Sequence, residues 1–169
     1  MMLKIQENFL PESIFRPIHN WFLHSRGPNW KWQPYNTGQY KDNYQFNISF
    51  YRYDIPVHEH YHIIKPLVDA INPHQLLRVK ANLHPITSQH EQSGFHVDNE
   101  YKNSTTSVFY INTCNGCTIF EHDNHHEYSV ENKLVSFPTH LKHCSLTSTD
   151  QKCRVVINLN YYTRPTIRL

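Results

Sequence analysis

The residues best suited to bind a metal ion lie in the middle of the chain, in the sequence Gly94-Phe95-His96-Val97-Asp98-Asn99. On a strand, side chains two positions apart point to the same face, so His96 and Asp98 are predicted to reach a single ion. A third ligand must come from another segment, and both His140 and His143 are candidates. Two histidines and one carboxylate leave coordination positions open, an arrangement that suits non-haem iron(II) with a bidentate co-substrate and oxygen.

A second group of polar residues lies near the end of the chain, in the sequence Arg154-Val-Val-Ile-Asn-Leu-Asn-Tyr-Tyr. Its apolar content is typical of a buried strand, on which Arg154, Asn158 and Asn160 would share one face. A buried arginine needs an anionic partner, and its planar guanidinium pairs well with a carboxylate. This face therefore suits the distal carboxylate of a dicarboxylic acid. The alternative is an exposed arginine at a strand end, in a solvated ion pair that contributes little.

The part of the chain that precedes these residues is predicted to contain two helices. After Pro11, apolar residues recur at helical spacing until Gly27-Pro28 ends the helix. Residues 29–55 are aromatic and polar, and their apolar pattern suggests a pair of strands. A second helix is predicted over residues 56–72, either kinked near Pro66 or begun there, and ended by Asn72-Pro73.

The remainder of the chain is predicted to be a β structure. Short segments rich in β-branched and aromatic residues alternate with turn residues, which indicates a jelly roll or sandwich with the helices outside one sheet. A single domain is predicted for residues 1–169, with residues 1–75 as a helical support and residues 76–169 as the β core. The predicted strands cover residues 77–83, 94–97, 105–113, 117–121, 126–130, 133–137, 141–146 and 153–162.

The composition narrows the class of protein. Aromatic residues make up 14% of the 169 residues, which argues against disorder. The formal net charge of +2 does not by itself indicate a nucleic-acid partner. The N-terminus lacks the apolar region of a secretory signal, and no apolar run approaches the roughly 20 residues of a membrane helix. We therefore expect a soluble, cytoplasmic protein.

The four cysteines offer a competing metal site. Cys114 and Cys117 are two residues apart in a predicted hairpin turn, and Cys144 and Cys153 form a second, more widely spaced pair. Two cysteine pairs can hold a structural zinc ion, although zinc sites usually have closer spacing in both pairs. Free thiols within strands are the favoured interpretation.

A series of motifs between about Lys80 and Tyr162 resembles the double-stranded β-helix core of the 2-oxoglutarate/iron(II)-dependent oxygenases. Within that superfamily the order and spacing are most similar to the prolyl-hydroxylase-like branch and its small phage and bacterial relatives. The first 75 residues match this pattern only vaguely. The motifs are His96-Val97-Asp98, Tyr110-Ile111-Asn112, Gly116-Cys117-Thr118-Ile119-Phe120, His143 and Arg154.

The resemblance implies a role for each of these residues. His96, Asp98 and His143 would bind iron(II), which leaves His140 outside the site. Arg154 would bind the distal carboxylate of 2-oxoglutarate, with Asn158 beside it.

Two further residues would belong to the co-substrate pocket by the same resemblance. Asn82 takes the place where relatives often carry a tyrosine that binds the co-substrate, and Tyr110 would line the pocket. The turn Asn115-Gly116-Cys117 departs from the two glycines and acidic residue that are usual in prolyl hydroxylases.

The function implied is an iron(II)- and 2-oxoglutarate-dependent dioxygenase that uses molecular oxygen to hydroxylate a substrate. By family resemblance the first substrate class is a protein side chain, with proline leading. A nucleobase or small-molecule oxygenase or demethylase is the alternative, although the weak net charge disfavours duplex nucleic acid. A non-catalytic, metal-binding jelly roll is the third hypothesis.

Overall fold

The computed structural model describes residues 3–34 and 44–164 of the chain. Within these residues the fold is mainly β, with two helices near the N-terminus, as the sequence predicts. The elements are β1 (Lys4–Gln6), α1 (Glu12–His24), β2 (Lys31–Gln33), β3 (Gln45–Arg52), β4 (Ile55–Pro56), α2 (Tyr61–Ile71), β5 (Gln75–Pro85), β6 (Thr105–Tyr110), β7 (Cys117–Phe120), β8 (His125–Tyr128), β9 (Lys133–Pro138), β10 (His143–Leu146) and β11 (Cys153–Tyr162).

The strands form two antiparallel sheets. The large sheet has the order β1-β9-β6-β11-β5-β3-β2, with β4 paired to β3, and the small sheet has the order β10-β7-β8. The long strands β5 and β11 pair along most of their length in the middle of the large sheet. The region before β5 therefore contributes four strands to this sheet in addition to its two helices.

Strand β11 shows how the large sheet separates an apolar face from a polar one. Val155, Ile157 and Leu159 alternate toward the helices, where they join a core that includes Phe15 of α1 and Leu67 of α2. The intervening positions point to the other face, toward the small sheet, because successive strand residues alternate sides. The polar residues of β11 therefore lie between the two sheets.

One helix boundary differs from the sequence predictions. The second helix begins at Tyr61 rather than near residue 56, because Ile55-Pro56 forms β4 against β3. It ends as predicted, where Asn72 adopts a left-handed backbone conformation with φ 51°.

The prediction of a regular strand over residues 94–97 is wrong. The segment pairs with β10 at two isolated bridges, Gln92 with Leu146 and His96 with His143, rather than along a continuous ladder. Between them the Ser93 hydroxyl accepts the Ser145 N–H at 2.9 Å, so a side chain replaces part of the backbone ladder. The segment nevertheless runs alongside β10, at the edge of the small sheet.

No helix in the described part of the chain is long and apolar enough to cross a membrane.

Candidate metal centre and co-substrate pocket

Backbone pairing brings two of the predicted ligands together. His96 and His143 lie opposite each other and exchange two N–H···O hydrogen bonds, each 3.0 Å long. Residues that face each other across an antiparallel pair project their side chains from the same side. The two imidazole rings consequently lie together, with centroids 4.9 Å apart.

The cluster of His96, Asp98 and His143 has the geometry of a metal site. One potential ligand atom from each residue lies within 4.8 Å of the others. The Asp98 Oδ1 atom is 3.9 Å from Nε2 of His96 and 4.0 Å from Nε2 of His143. Among the described residues, this is the one group of histidine, cysteine and acidic side chains that meets this geometry.

Each histidine presents the correct nitrogen to the cluster. The Nδ1 atom of His96 lies 3.0 Å from the Gly94 carbonyl, and that of His143 lies 3.1 Å from the Leu141 carbonyl. A carbonyl only accepts hydrogen bonds, so both Nδ1 atoms carry the proton and both Nε2 atoms present a lone pair. Metal-binding histidines are usually oriented in this way.

Asp98 is held as a carboxylate. Burial of its side chain would raise its pKa, but His143, Arg78 and His96 outweigh this and hold the pKa of Asp98 below its ordinary value. Asn160 of β11 also contributes, since its Nδ2 atom donates to Asp98 Oδ2 at 3.2 Å. Burial lowers the pKa of His143, although Asp98 opposes this, and the lowering favours the neutral ring that can bind a metal.

The competing ligands lie elsewhere. His140 is exposed, lines a surface pocket with Tyr101 and Lys102, and does not belong to the group of described residues that has metal-site geometry. Cys114, Cys117 and Cys144 are buried free thiols, and Cys153 is partly buried. None of the four cysteines joins a group with metal-site geometry in the described part of the chain, which removes the support for a zinc site.

Arg154 is a buried cation without an acidic partner among the described residues. Its side chain is almost fully enclosed, with 1% exposure. The Nε atom donates to the Ser129 hydroxyl at 2.8 Å and one terminal nitrogen donates to the Thr118 hydroxyl at 3.0 Å. Neutral hydroxyls orient the guanidinium but do not neutralise it. A buried charge of this kind is costly unless an anion joins it.

Tyr110 packs against the Arg154 guanidinium. Its ring lies 5.5 Å from the Arg154 guanidinium carbon, and its hydroxyl donates to the Thr118 hydroxyl at 2.9 Å. Burial raises the pKa of Tyr110 to about 12, so the phenol stays neutral. Tyr110 thus adjoins the pocket through its contacts with two of the lining residues, Arg154 and Thr118.

The pocket beside Arg154 extends to the proposed metal ligands. His96, His143, Asn82, Asn158 and Arg154 all line it. The side-chain oxygens of Asn82 and Asn158 are buried without a hydrogen-bond partner among the described residues. An amide can present either a donor or an acceptor, so both side chains are available to a polar ligand. A metal at the cluster and a dicarboxylate reaching Arg154 both fit these residues.

His84 is a pocket residue that the sequence analysis missed. It faces Arg154 across the β5–β11 pair, and it is fully enclosed. Burial, assisted by Arg154 and Lys80, lowers the pKa of His84 to about 3. No short motif identifies such a residue, because its environment comes from the register of two strands that are distant in sequence.

The buried neutral His84 predicts a loss of stability in acid. Between about pH 6.5 and pH 3 the unfolded chain binds a proton that the folded protein does not, so stability falls as the pH is lowered. One such group contributes a slope of up to about 1.4 kcal/mol per pH unit. We expect His84→Gln to flatten the acid side of the stability profile in urea titrations. The exposed control His140→Gln should keep the wild-type slope; equal slopes in all three proteins would contradict the prediction.

Gly116 of the sequence motif lies directly against Arg154. A Cβ atom at this position would come within 2.8 Å of Arg154 Cδ and 2.8 Å of the Leu146 carbonyl oxygen. We expect Gly116→Ala to lower the free energy of unfolding by about 1–3 kcal/mol through overpacking. Because the clash also displaces Arg154, the affinity for the 2-oxoglutarate that the sequence resemblance implies as a ligand should fall, as measured by calorimetric titration. An alanine variant that binds 2-oxoglutarate like the wild type would show that this contact is not needed.

Two further basic residues missed from sequence, Arg78 and Lys80, lie on the same face of β5. The Arg78 guanidinium approaches Asp98, with one nitrogen 3.3 Å from its carbonyl and another 3.9 Å from Oδ1. Burial lowers the pKa of Lys80 to about 8, and Arg78 acts in the same direction. Both residues line a pocket that also contains His96 and Asp98.

Solved structures share this architecture, although no family model matches the sequence and no curated protein sequence matches it significantly. A prolyl-4-hydroxylase from Pseudomonas putida aligns with a TM-score of 0.63 at 16% identity, over 96% of this chain and 92% of its own. A prolyl hydroxylase from Trichoplax adhaerens, in complex with a hypoxia-inducible-factor peptide, aligns with a TM-score of 0.65 at 13% identity, over 95% and 83%.

A third structure is similar over nearly its whole length. The viral collagen prolyl hydroxylase of Paramecium bursaria Chlorella virus-1, in its 2-oxoglutarate complex, aligns with a TM-score of 0.59 at 12% identity over 97% of both chains. These similarities show that the chain has the double-stranded β-helix fold of the 2-oxoglutarate/iron(II) oxygenases.

Proposed function

We propose that the protein is an iron(II)- and 2-oxoglutarate-dependent dioxygenase that hydroxylates its substrate. The observation that carries the proposal is one pocket with two complementary features. At one end lies the cluster of His96, Asp98 and His143, and at the other lies the buried, unneutralised Arg154. A metal alone would explain only the first feature. A dicarboxylate that chelates the metal and reaches the arginine explains both.

The proposed roles follow from the contacts of each side chain. His96 and His143 bind iron(II) through Nε2, while their Nδ1–H groups are held by backbone carbonyls. Asp98 supplies the negative charge, and Asn160 orients it. Arg154 binds the distal carboxylate of 2-oxoglutarate.

The remaining side chains around the pocket hold Arg154 in place and contact the co-substrate. Ser129 and Thr118 hold the guanidinium, Tyr110 packs against it, and Asn82 and Asn158 offer amide groups beside the bound chain. When bound, the iron and 2-oxoglutarate together supply the oxidation by molecular oxygen that releases succinate and carbon dioxide. The protein contributes geometry and an enclosed site.

A protein side chain, with proline first, is the initial substrate class to test. The support is the likeness in fold to prolyl hydroxylases, one of them described with a bound peptide. Because all of these similarities lie at or below 16% identity, small molecules and nucleobases belong in the same screen.

The proposal is tested by spectroscopy before any substrate is known. Addition of 2-oxoglutarate to the anaerobic iron(II) protein should produce a visible metal-to-ligand charge-transfer band, because the keto acid chelates the metal. His96→Ala should lose the band, and the matched variant His90→Ala, outside the cluster, should keep it. A wild-type protein that binds iron(II) without the band would instead be a metal-binding module. Substrates are then found by succinate release in a screen of peptides, amino acids and nucleosides.

A further inference from the structure

A second, polar pocket adjoins the cluster of His96, Asp98 and His143 on the side of strands β3 and β5. It has a volume of about 180 Å³, which admits a small molecule or a single side chain. His96 and Asp98 form one wall, and Arg78 and Lys80 form another. Val97 is its one apolar lining residue among the described residues. A polar pocket that includes two metal ligands is the place where a substrate would meet the metal.

Lys80 has unused hydrogen-bonding capacity in this pocket. Its side chain points to the metal side of the large sheet, because Lys80 is opposite Asn158 of β11. Among the described residues, its ammonium group has one hydrogen bond, 3.4 Å from Gln33 Oε1. That oxygen already accepts a shorter bond of 2.7 Å from Asn47 and another of 3.3 Å from Gln45. A lysine ammonium offers three donors, and a carbonyl oxygen has two lone pairs, so Lys80 remains poorly satisfied.

Arg78 is also incompletely paired. Its two terminal nitrogens approach Asp98, but its buried Nε atom has no partner among the described residues. Asp98 cannot neutralise both Arg78 and Lys80, because its single negative charge is also needed to bind the metal ion. The pocket contains no other acidic residue among those described.

The charges of the loaded site are unbalanced. Arg78, Lys80, Arg154 and a divalent metal contribute five positive charges, whereas Asp98 and 2-oxoglutarate contribute three negative charges. An excess of two positive charges in a partly enclosed site attracts an anion strongly, because the low-dielectric walls focus the field. The side chains around this pocket therefore favour an anionic substrate over a neutral one.

We propose that the primary substrate carries an oxyanion, a carboxylate or a phosphate, and that Lys80 binds it while Arg78 stabilises the same group from the side. This inference rests on the proposed function and specifies its substrate class. It ranks an anionic substrate above the neutral prolyl side chain, which the likeness in fold places first for screening.

The test uses matched pairs of probes that differ in charge. Free amino acids are compared with their carboxamides, and phosphoserine is compared with serine. Binding is measured by calorimetry on the protein loaded with zinc and 2-oxoglutarate, which requires no turnover. We expect the best anionic probe to bind at least about tenfold more tightly than its neutral partner. A preference for the amino acids over their carboxamides would identify a carboxylate, and a preference for phosphoserine over serine would identify a phosphate.

Variants of Lys80 identify the group responsible. Lys80→Met should remove the preference for the anion, and Lys80→Arg should retain it because the positive charge remains. Lys65→Met, at an exposed position on α2, should behave like the wild type. Equal binding of acids and amides by the wild type, or a preference that survives Lys80→Met, would overturn the proposal. Failure of the proposed function would instead appear as an absent charge-transfer band, whatever the outcome with Lys80.

Discussion

His143→Ala is expected to abolish iron(II) binding and 2-oxoglutarate turnover, whereas His140→Ala is expected to leave both unchanged. The two histidines are three positions apart, but only the Nε2 atom of His143 faces Asp98, at 4.0 Å. Residues that merely orient metal ligands change affinity or activity by about 10–100-fold, so loss of a ligand should exceed about 100-fold.

The measurement combines iron(II) titration with succinate release. His96→Ala and Asp98→Asn should reproduce the effect of His143→Ala, because each removes one member of the same cluster. His140 is exposed, so its replacement tests whether the loss is specific to the cluster. If His140→Ala lost iron and His143→Ala retained it, the assignment of the third ligand would be wrong.

Arg154→Met is expected to weaken 2-oxoglutarate binding without weakening iron binding. Truncating one member of a buried, hydrogen-bonded charge pair costs about 2–5 kcal/mol, which corresponds to roughly a 30-fold to 4,000-fold rise in the KM for 2-oxoglutarate. The Arg154 guanidinium donates to Ser129 and Thr118 and to none of the three proposed ligands. Iron(II) affinity in the absence of 2-oxoglutarate should therefore stay within about twofold.

The stability of the same variant provides an independent check. In the absence of a dicarboxylate, Arg154 is a buried charge among neutral groups. Replacing such a charge with an apolar side chain of similar size is often neutral or stabilising. We expect Arg154→Met to unfold at the same or a higher urea concentration than the wild type. The exposed control Arg26→Met should change neither stability nor KM.

Arg154→Lys separates charge from geometry. It keeps the positive charge but lacks the planar fork that contacts both hydroxyls and a carboxylate. An intermediate KM is expected. If Arg154→Met bound 2-oxoglutarate as tightly as the wild type, another residue would have to bind the distal carboxylate. The main support for the proposed function would then be lost.

Local patterns in the sequence were sufficient for several features of the site. The two-residue spacing of His96 and Asp98 and the alternation along β11 concern neighbouring residues, and their geometry follows from the backbone alone. The same holds for α1 and for most strands after residue 75. The motif containing Gly116 was recognised as a pattern, but its reason, the close approach to Arg154, was visible only in three dimensions.

Other features depended on which strands lie side by side. The backbone pairing of His96 with His143 favours His143 over His140 as the third ligand, although the expected regular strand at 94–97 does not form. Lys80 and His84 became site residues because β5 pairs with β11, which sets them opposite Asn158 and Arg154.

The sequence by itself determined the types of ligand, the order in which they occur and the face that each shares with its near neighbours. The tertiary structure decided which distant side chains meet, which charge lacks a partner and which amides lie unpaired in the pocket. The physical reason is that strand register and burial arise from contacts between segments far apart in the chain, and these contacts set the electrostatic environment of every residue in the site.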